Sequence, residues 1–514
     1  MPPIEAPDLS FAALAPLLLV FGAACVGVLV EAFAPRAVRH PVQVGIALVG
    51  TVGGFVTTLL LAGTGEVTAG GALAVDGVAL FLQATITALG ALSVLLFAER
   101  SLDPARSAFV ASAAVPAGSA RDVQLAVSER VQTEVYPLVT FAVGGMMLFT
   151  SANDLLLMFV ALEVLSLPLY LLCGMARRRR LLSQEAALKY FLLGAFASAF
   201  FLYGLALVYG ATGSVRLAVI REGATGAGND LLLVLGLALL VVGLMFKASV
   251  APFHVWTPDV YQGAPTPVTA FMAAATKVAA FGAVLRLLYM AFGTAEEIWR
   301  PLVYALAIAS MVVGAVLGLT QTDLKRLFAY SSIAHAGFLL TGVIGLSGDG
   351  EDPGLAATMF YLLTYGLTTI GAFALLTLVR DGSGEATHLS RWAGLAQRSP
   401  LTAALMTLFL LALAGIPLTS GFTGKFAVFR AAIETGAWPL AVVALVTSAV
   451  AAFYYLRVVV LMYFSDPAPD GPTIGVPGSP TTAVLAVTAA ATLVLGIVPG
   501  SVLDLAQSAA VLVG

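Results

Sequence analysis

The stretch KASVAPFHVWTPDVYQGAPTPVTAFMAAATK, Lys247 to Lys277, decides the fold. It joins two long apolar runs, Leu231 to Phe246 and Phe271 onward, and carries a lysine at each end. Between the lysines stand four prolines (Pro252, Pro258, Pro265, Pro267), a histidine, a tryptophan and an aspartate. Proline removes a backbone donor and disfavours helix in the residue before it, so the helix breaks here. In a bilayer, irregular backbone survives only where protein or an internal water-filled cavity satisfies it. A lysine at the centre of the hydrocarbon costs about 2.5–3.5 kcal/mol on insertion scales and is a functional candidate by default. Two lysines flanking one broken helix point to an internal polar path.

Working outward, the 514 residues are 60% hydrophobic and 10% charged, with a mean hydropathy of +0.99. That excludes a soluble domain and implies an all-α polytopic membrane protein. Apolar runs of spanning length recur at 9–30, 41–62, 77–98, 135–152, 154–174, 188–210, 231–251, 264–290, 301–319, 327–346, 355–379, 401–433, 438–463 and 480–505, about fourteen transmembrane helices. The run 401–433 is too long for one straight span and is interrupted by Gly415, Pro417, Ser420 and Gly421, which predicts a second broken helix. Interrupted segments in corresponding halves indicate an inverted-repeat transport core, here with Lys247 near one break and Lys425 near the other. The expected division is 1–134 (three transmembrane helices and a loop), 135–290 and 301–463 (two repeats), and 464–514 (a loop and the last transmembrane helix).

The first ten residues, MPPIEAPDLS, carry no basic residue and make a poor signal-peptide start, so the first run is expected to remain as a membrane helix with its N-terminus outside. Loops on the cytoplasmic side then receive Arg36, Arg39, Arg100, Arg106, Arg121, Arg130, Arg177 to Arg180, Lys325, Arg326, Arg380, Arg391 and Arg398. Outer loops hold Arg216, Arg221 and Arg300 with the acids Glu66, Glu296, Glu297, Glu351 and Asp352. Both termini are therefore expected outside. The segment 99–134 reads as a cytoplasmic loop with a short surface helix. Neither it nor the loop 465–479 is long enough for a catalytic domain. Cys25 and Cys173 lack paired spacing, which excludes an iron–sulfur or cysteine-type zinc site within this chain. No phosphate-loop or dinucleotide fingerprint occurs, and no strand pattern appears.

The chain has five lysines against twenty arginines. Lys189, Lys247, Lys277 and Lys425 fall within apolar runs, whereas Lys325 sits in a cytoplasmic loop on this reading. Arginine stays protonated, while the charge of a lysine can be tuned by burial. The pattern favours a proton relay over structural ion pairs, the alternative reading. Glu163 lies ten residues from either end of a 153–173 span, about 15 Å deep, where a neighbouring lysine could hold it ionised. His335 falls inside its run, with Tyr330, Ser331 and Ser332 one turn away; it is either a proton shuttle or a packed, hydrogen-bonded histidine. His254, in the first break, either satisfies freed carbonyls or joins the relay. His40 and His388 read as solvated. Arg177 to Arg180 read as a topology determinant with anionic-lipid contact secondary, and Arg286 and Arg457 as snorkelling near helix ends.

At this point the residues resemble a known family. PFHVWTPDVYQGAPTPVTAF followed by Lys277 is similar to the signature of the antiporter-like membrane subunits of respiratory complex I, NADH-quinone oxidoreductase, and its wording is closer to the N-type members than to the L or M types. FVALEVLSLPLY around Glu163, EAALKYFLLGAFASAF around Lys189, QTDLKRLFAYSSIAHAGF around His335 and GIPLTSGFTGKF around Lys425 support it in the same order. The resemblance implies fourteen helices with two inverted five-helix repeats, and a proton moved through the subunit, coupled at a distance to quinone reduction. It implies that Glu163 and Lys247 form the input-side pair, Lys189 serves the cytoplasmic input, Lys277 is the central relay, His335 bridges, and Lys425 is the lysine of the second broken helix. No cofactor is expected in this chain: NADH, FMN, iron–sulfur clusters and quinone belong to other subunits. Expected partners are the neighbouring subunit M, the small subunits K and J, and lipids, with no nucleic acid, in the plasma membrane of a bacterium. The rival readings are a cation/proton antiporter subunit of a related complex, and a structural membrane subunit whose buried charges only lock helices together.

Overall fold

The computed structural model describes residues 9–103, 105–126, 128, 131–225, 230–345, 353–382, 384–467 and 470–513. Arg130, Glu351 and Asp352, assigned above to loops, lie outside the described residues. Eleven described helices are long and apolar enough to cross a membrane, and three shorter apolar helices complete the set expected from the hydropathy pattern. In chain order they are α1 (Phe11–Phe33), α2 (Arg36–Leu60), α3 (Gly77–Phe97), α4 (Val135–Ser151), α5 (Leu155–Cys173), α6 (Arg180–Thr212) and α7 (Leu231–Lys247). There follow α8 (Thr266–Ala291), α9 (Glu296–Leu319), α10 (Leu324–Ile344) and α11 (Pro353–Leu376). The broken segment is α12 (Pro400–Ala414) with α13 (Ser420–Glu434), and α14 (Trp438–Phe464) and α15 (Ser479–Ile497) close the set.

Aspartates set several helix starts. Asp76, Asp154, Asp230 and Asp323 each accept hydrogen bonds from the first-turn amides of α3, α5, α7 and α10. These donors have no partner inside the helix, and a carboxylate also complements the positive end of the helix dipole. The five passes beginning with α4 start at the arginine-rich end, and the five beginning with α9 start at the opposite end, so corresponding helices run in opposite senses. The centre is formed by α8, α10 and α11, which are buried almost throughout, while α1, α2, α6, α14 and α15 turn large apolar side chains outward. Small residues let α8 sit there: Ala273, Ala274, Ala275, Ala279, Ala280 and Ala283 line it, and a Cβ at Gly282 would stand 2.5 Å from Thr150.

The arginines sort as expected. Arg177 donates to the Phe109 carbonyl, Arg178 and Arg380 to Asp103, Arg180 to Asp122 and Arg391 to Asp470, all at one end. The run Arg177 to Arg180 is thus more than a row of solvated charges: Arg177 and Arg180 are buried, and they clamp the 99–126 loop, which does contain a short helix, Ala120–Ala126. The expectation of no strands is corrected by two small sheets outside the helices. One pairs β1 (Glu66–Thr68) with β2 (Leu73–Val75); the other joins β3 (Val379–Asp381) to β4 (Gly384–Glu385) and β5 (Thr473–Ile474). Runs of two or three residues are too short to produce a readable alternation.

Arg286 corrects the sequence reading most sharply. It does not snorkel. Its side chain is fully buried and its Nη2 meets both oxygens of Asp76 at 2.8 Å, while Nε donates to the Thr150 carbonyl. Asp76 also accepts from the Ala79 and Val513 amides, so one carboxylate joins the start of α3, the body of α8 and the C-terminal tail. Arg457 likewise turns inward, donating to the Leu319 and Gln321 carbonyls that end α9. Removing one partner of a buried ion pair strands the other charge and costs about 3–5 kcal/mol. Arg286→Met should therefore lower the unfolding temperature of the purified complex or prevent its accumulation, measured by thermal shift and membrane yield; wild-type values for both would refute the assignment.

Glu99, just past α3, ties down the 470–478 segment. Its carboxylate accepts from the Ser101 amide and hydroxyl at 2.7 Å each, and from the Gly478 amide at 3.0 Å. Burial alone would raise its pKa, but the hydrogen bonds it accepts outweigh this and hold it below the ordinary glutamate value of 4.5. A depressed folded-state pKa contributes stability that is complete above the unfolded value and is lost as pH falls through the folded one. Amide protection at Gly478, taken relative to the intrinsic exchange rate, should be complete above the ordinary glutamate value of 4.5 and be lost as pH falls below it, and Glu99→Gln should remove that pH dependence.

Candidate functional site

The first break forms because α7 stops at Lys247 and the following prolines forbid regular helix. Its backbone is satisfied from within. The Trp256 indole donates to the Phe246 carbonyl at 2.9 Å, and the Ala251 amide donates to Ser310 Oγ at 3.0 Å. Trp256 and Ser310 thus take up part of the duty anticipated for His254, whose half-buried ring lies against the Pro252 carbonyl of the same break.

Lys247, at the end of α7, donates to Ser166 Oγ at 2.8 Å and Tyr190 OH at 2.9 Å, and its ammonium lies 5.1 Å from the Tyr190 ring centroid. Glu163 sits one turn before Ser166 on α5, with its Oε1 buried and without a hydrogen-bond partner among the described residues. Among the described residues, the two expected partners form no ion pair; Ser166 and Tyr190 take the positions nearest the ammonium. Tyr190 stacks on Trp256 at 4.5 Å, and Trp256 packs edge-on against Tyr261.

Lys277 begins the α-helical part of α8 that follows a π-helical turn, Met272–Thr276. Such turns insert one residue and re-aim the side chains after them. The Lys277 ammonium donates to the Ser332 carbonyl at 2.5 Å and lies 5.4 Å from the Tyr365 ring. The Ser332 hydroxyl is 3.4 Å from Tyr261 OH. One turn on, His335 places Nδ1 2.6 Å from Tyr361 OH and Nε2 3.4 Å from Tyr455 OH, and Tyr455 in turn bonds Ser331. Phe338 packs 5.6 Å from the imidazole and 4.8 Å from the Lys425 ammonium, and the Leu413 carbonyl that accepts from Lys425 also lies against the imidazole.

At the second break, Lys425 itself satisfies the interrupted backbone. Its ammonium donates to the Leu413 and Ala414 carbonyls at the end of α12 and to Ser448 Oγ, at 2.9, 3.0 and 2.9 Å. The negative end of a half-helix dipole is a natural seat for a cation. Gly415 keeps that seat open. Its φ is +84°, and a Cβ there would stand 2.9 Å from Lys425 Cδ.

Two lysines exchange the places read from sequence. Lys325, taken for a loop residue, is 3% exposed and donates to the Ala264 carbonyl at 2.7 Å, where the short helix Thr257–Gly263 ends. The side chain of Lys189, taken for a buried one, is 39% exposed and pairs with Glu185 at 2.6 Å and Asp259 at 2.5 Å. Asp259 is shared, since its other oxygen accepts from Arg326 at 2.6 Å. Sequence reasoning passed over Asp259, Ser166, Tyr190, Tyr261, Tyr361, Tyr455 and Ser448. The available signal was their hydroxyl or carboxyl character inside or beside apolar runs.

The family description "NADH:quinone oxidoreductase/Mrp antiporter, TM" matches residues 152–451, which include Glu163, Lys189, Lys247, His254, Lys277, His335 and Lys425. A protein of Saccharopolyspora erythraea named NADH-quinone oxidoreductase subunit N is 59% identical, covering 99% of this chain and 99% of its own. The chain belongs to the NADH-quinone oxidoreductase subunit N family. A chain of respiratory complex I from Thermus thermophilus superposes with a TM-score of 0.77 at 38% identity, covering 96% of this chain and 99% of that one. A chain of the Mrp complex from Dietzia shares the fold, with a TM-score of 0.80 at 21% identity, covering 98% of this chain and 97% of that one. Family members are thus antiporter-like membrane subunits, and no group of three or more metal-ligating side chains occurs among the described residues.

The exchange of Lys325 and Lys189 is directly testable. Lys325→Met leaves a buried carbonyl without its donor, a loss of about 1–3 kcal/mol. Lys189→Met removes a partly exposed pair worth less than about 1 kcal/mol, with Asp259 still held by Arg326. Thermal unfolding of the purified complex should rank Lys325→Met clearly below Lys189→Met; the reverse order would contradict these positions.

Proposed function

We propose that the chain is the proton-translocating membrane subunit of an NADH:quinone oxidoreductase, moving protons through its buried lysine and histidine row while quinone is reduced in other subunits. One observation carries the reading: Lys247, Lys277 and Lys425 are buried with hydroxyls, carbonyls and aromatic faces as direct partners, and among the described residues none is locked to a carboxylate. Neutral partners stabilise the ammonium without making its proton obligatory. A structural charge would call for an opposite charge in contact, as Arg286 has in Asp76.

In this mechanism a proton reaches Lys247 and Lys277 from the arginine-rich end through water and the Lys189–Asp259 pair. Glu163, near Lys247 but not bonded to it, biases the charge at that site. Tyr190, Trp256, Tyr261 and Ser332 form a continuous series of contacts from Lys247 to Lys277, and water beside them would carry the transfer. From Lys277 the proton passes His335, with Tyr361 and Tyr455 orienting the imidazole, and then moves around Phe338 to Lys425 and out at the opposite end. His254 would serve as a polar group in the break. The spans 135–290 and 301–463 would act as the two half-channels, flanked by 1–134 and 464–514.

The neighbours would be subunit M, the small subunits K and J, and lipids, with NADH, FMN, iron–sulfur clusters and quinone on other chains. The location would be the bacterial plasma membrane with both termini outside, supported by the sorting of arginines to one end. The decisive measurement is proton pumping per NADH oxidised in vesicles carrying the complex with Lys247→Ala or Glu163→Ala. Assembly and electron transfer are checked on the same sample. Reduced pumping in an assembled complex is expected; full pumping with normal assembly would return these residues to a structural role.

A further inference from the structure

At the arginine-rich end, away from the lysine row, a cavity of about 450 Å³ opens between the α1–α2 turn, the end of α3 and the start of α4. Its walls include Glu31, Arg36, Arg39, His40, Arg100 and Thr133. We propose that this cavity binds the phosphate headgroup of an anionic phospholipid. The internal charges are already assigned. Glu31 is saturated by Arg39 at 3.0 Å, Gln43 at 3.2 Å and Thr133 at 2.6 Å, and Arg39 also donates to the Ala34 carbonyl. His40 is engaged with Tyr136 OH at 3.1 Å. Glu134, the other acid on the wall, is exposed.

Two guanidinium groups remain. Among the described residues, Arg36 is exposed and makes no ion pair, and Arg100 has a buried Nε without a hydrogen-bond partner. A roomy polar cavity with two uncommitted guanidinium groups selects a multivalent oxyanion, because the planar fork matches phosphate oxygens in pairs. The apolar surroundings select a lipid as its source. Phe33 is 82% exposed, and Val38 and Val42 are also exposed on the helices that form the cavity. Acyl chains lying along these side chains would bring a headgroup to the level of Arg36 and Arg100. Basic residues at this level of a membrane protein attract anionic headgroups.

The test uses the whole purified complex and measures co-purified phosphatidylglycerol and cardiolipin by mass spectrometry through successive detergent washes. The double variant Arg36→Gln/Arg100→Gln should retain anionic phospholipid roughly 30-fold more weakly at one site. Arg391→Gln, at the same end but outside this cavity, should behave as wild type. Equal retention in the double variant overturns the proposal. Should that variant not assemble, photoreactive phosphatidylglycerol added to the wild-type complex is expected to label residues 31–43; absence of label there overturns it. Inorganic phosphate protecting residues 31–43 as well as the lipid does would make this a free-phosphate site and also overturn the lipid assignment.

Discussion

Placing an ammonium group in a low-dielectric interior demands a partner for every N–H, and the choice of partner governs what the group can do. Arg286 is paired with a carboxylate, and the result is a permanent joint between α3, α8 and the C-terminal tail. Lys247, Lys277 and Lys425 are instead met by serine and tyrosine oxygens, backbone carbonyls and aromatic faces. Much of the architecture follows from supplying those neutral partners. The breaks at 248–256 and 415–419 interrupt helices near Lys247 and Lys425, and at the second break the freed carbonyls of α12 themselves bind Lys425. The π-helical turn at Met272–Thr276 precedes Lys277, and α10 delivers a serine carbonyl and a histidine within one turn.

The two breaks solve one problem in different ways. In the first, Trp256 and Ser310 satisfy freed backbone, so Lys247 is left to bond hydroxyls. In the second, Lys425 performs the backbone duty and is held by the terminal carbonyls of α12. A group held by two hydroxyls and a group seated on a helix end differ in how far each can swing without stranding a buried acceptor. The input-side lysine is therefore the freer of the two.

The sequence was most legible where hydropathy and proline act alone. The fourteen spans, both breaks and the sorting of arginines follow from single-residue properties that need no knowledge of neighbours. What escaped depends on packing between distant segments. Lys325 stands among polar residues in the chain, yet it is buried because the short helix Thr257–Gly263 needs a donor for its last carbonyl. Arg286 sits near the end of an apolar run, where snorkelling is the ordinary expectation; only the approach of Asp76, 210 residues earlier, makes burial affordable. The tyrosines around His335 come from α11 and α14, and nothing in their local sequence announces a shared partner.

The length of α6 has a consequence for where water begins. Its 33 residues extend roughly 50 Å, against a hydrocarbon core of about 30 Å. Tilt alone would have to exceed the usual range of about 0–40° to hide it, so part of the helix stands clear of the lipid. The 99–126 loop forms a collar around the arginine-rich end of α6, where Arg180 bonds Asp122 and the carbonyls of Ser112, Ala113 and Val115. Lys189 lies nine residues in, about 14 Å along the axis. That depth puts it at the shoreline of the membrane, where bulk water and counter-charges can reach it, while Lys247, Lys277 and Lys425 lie inland, buried among the helices.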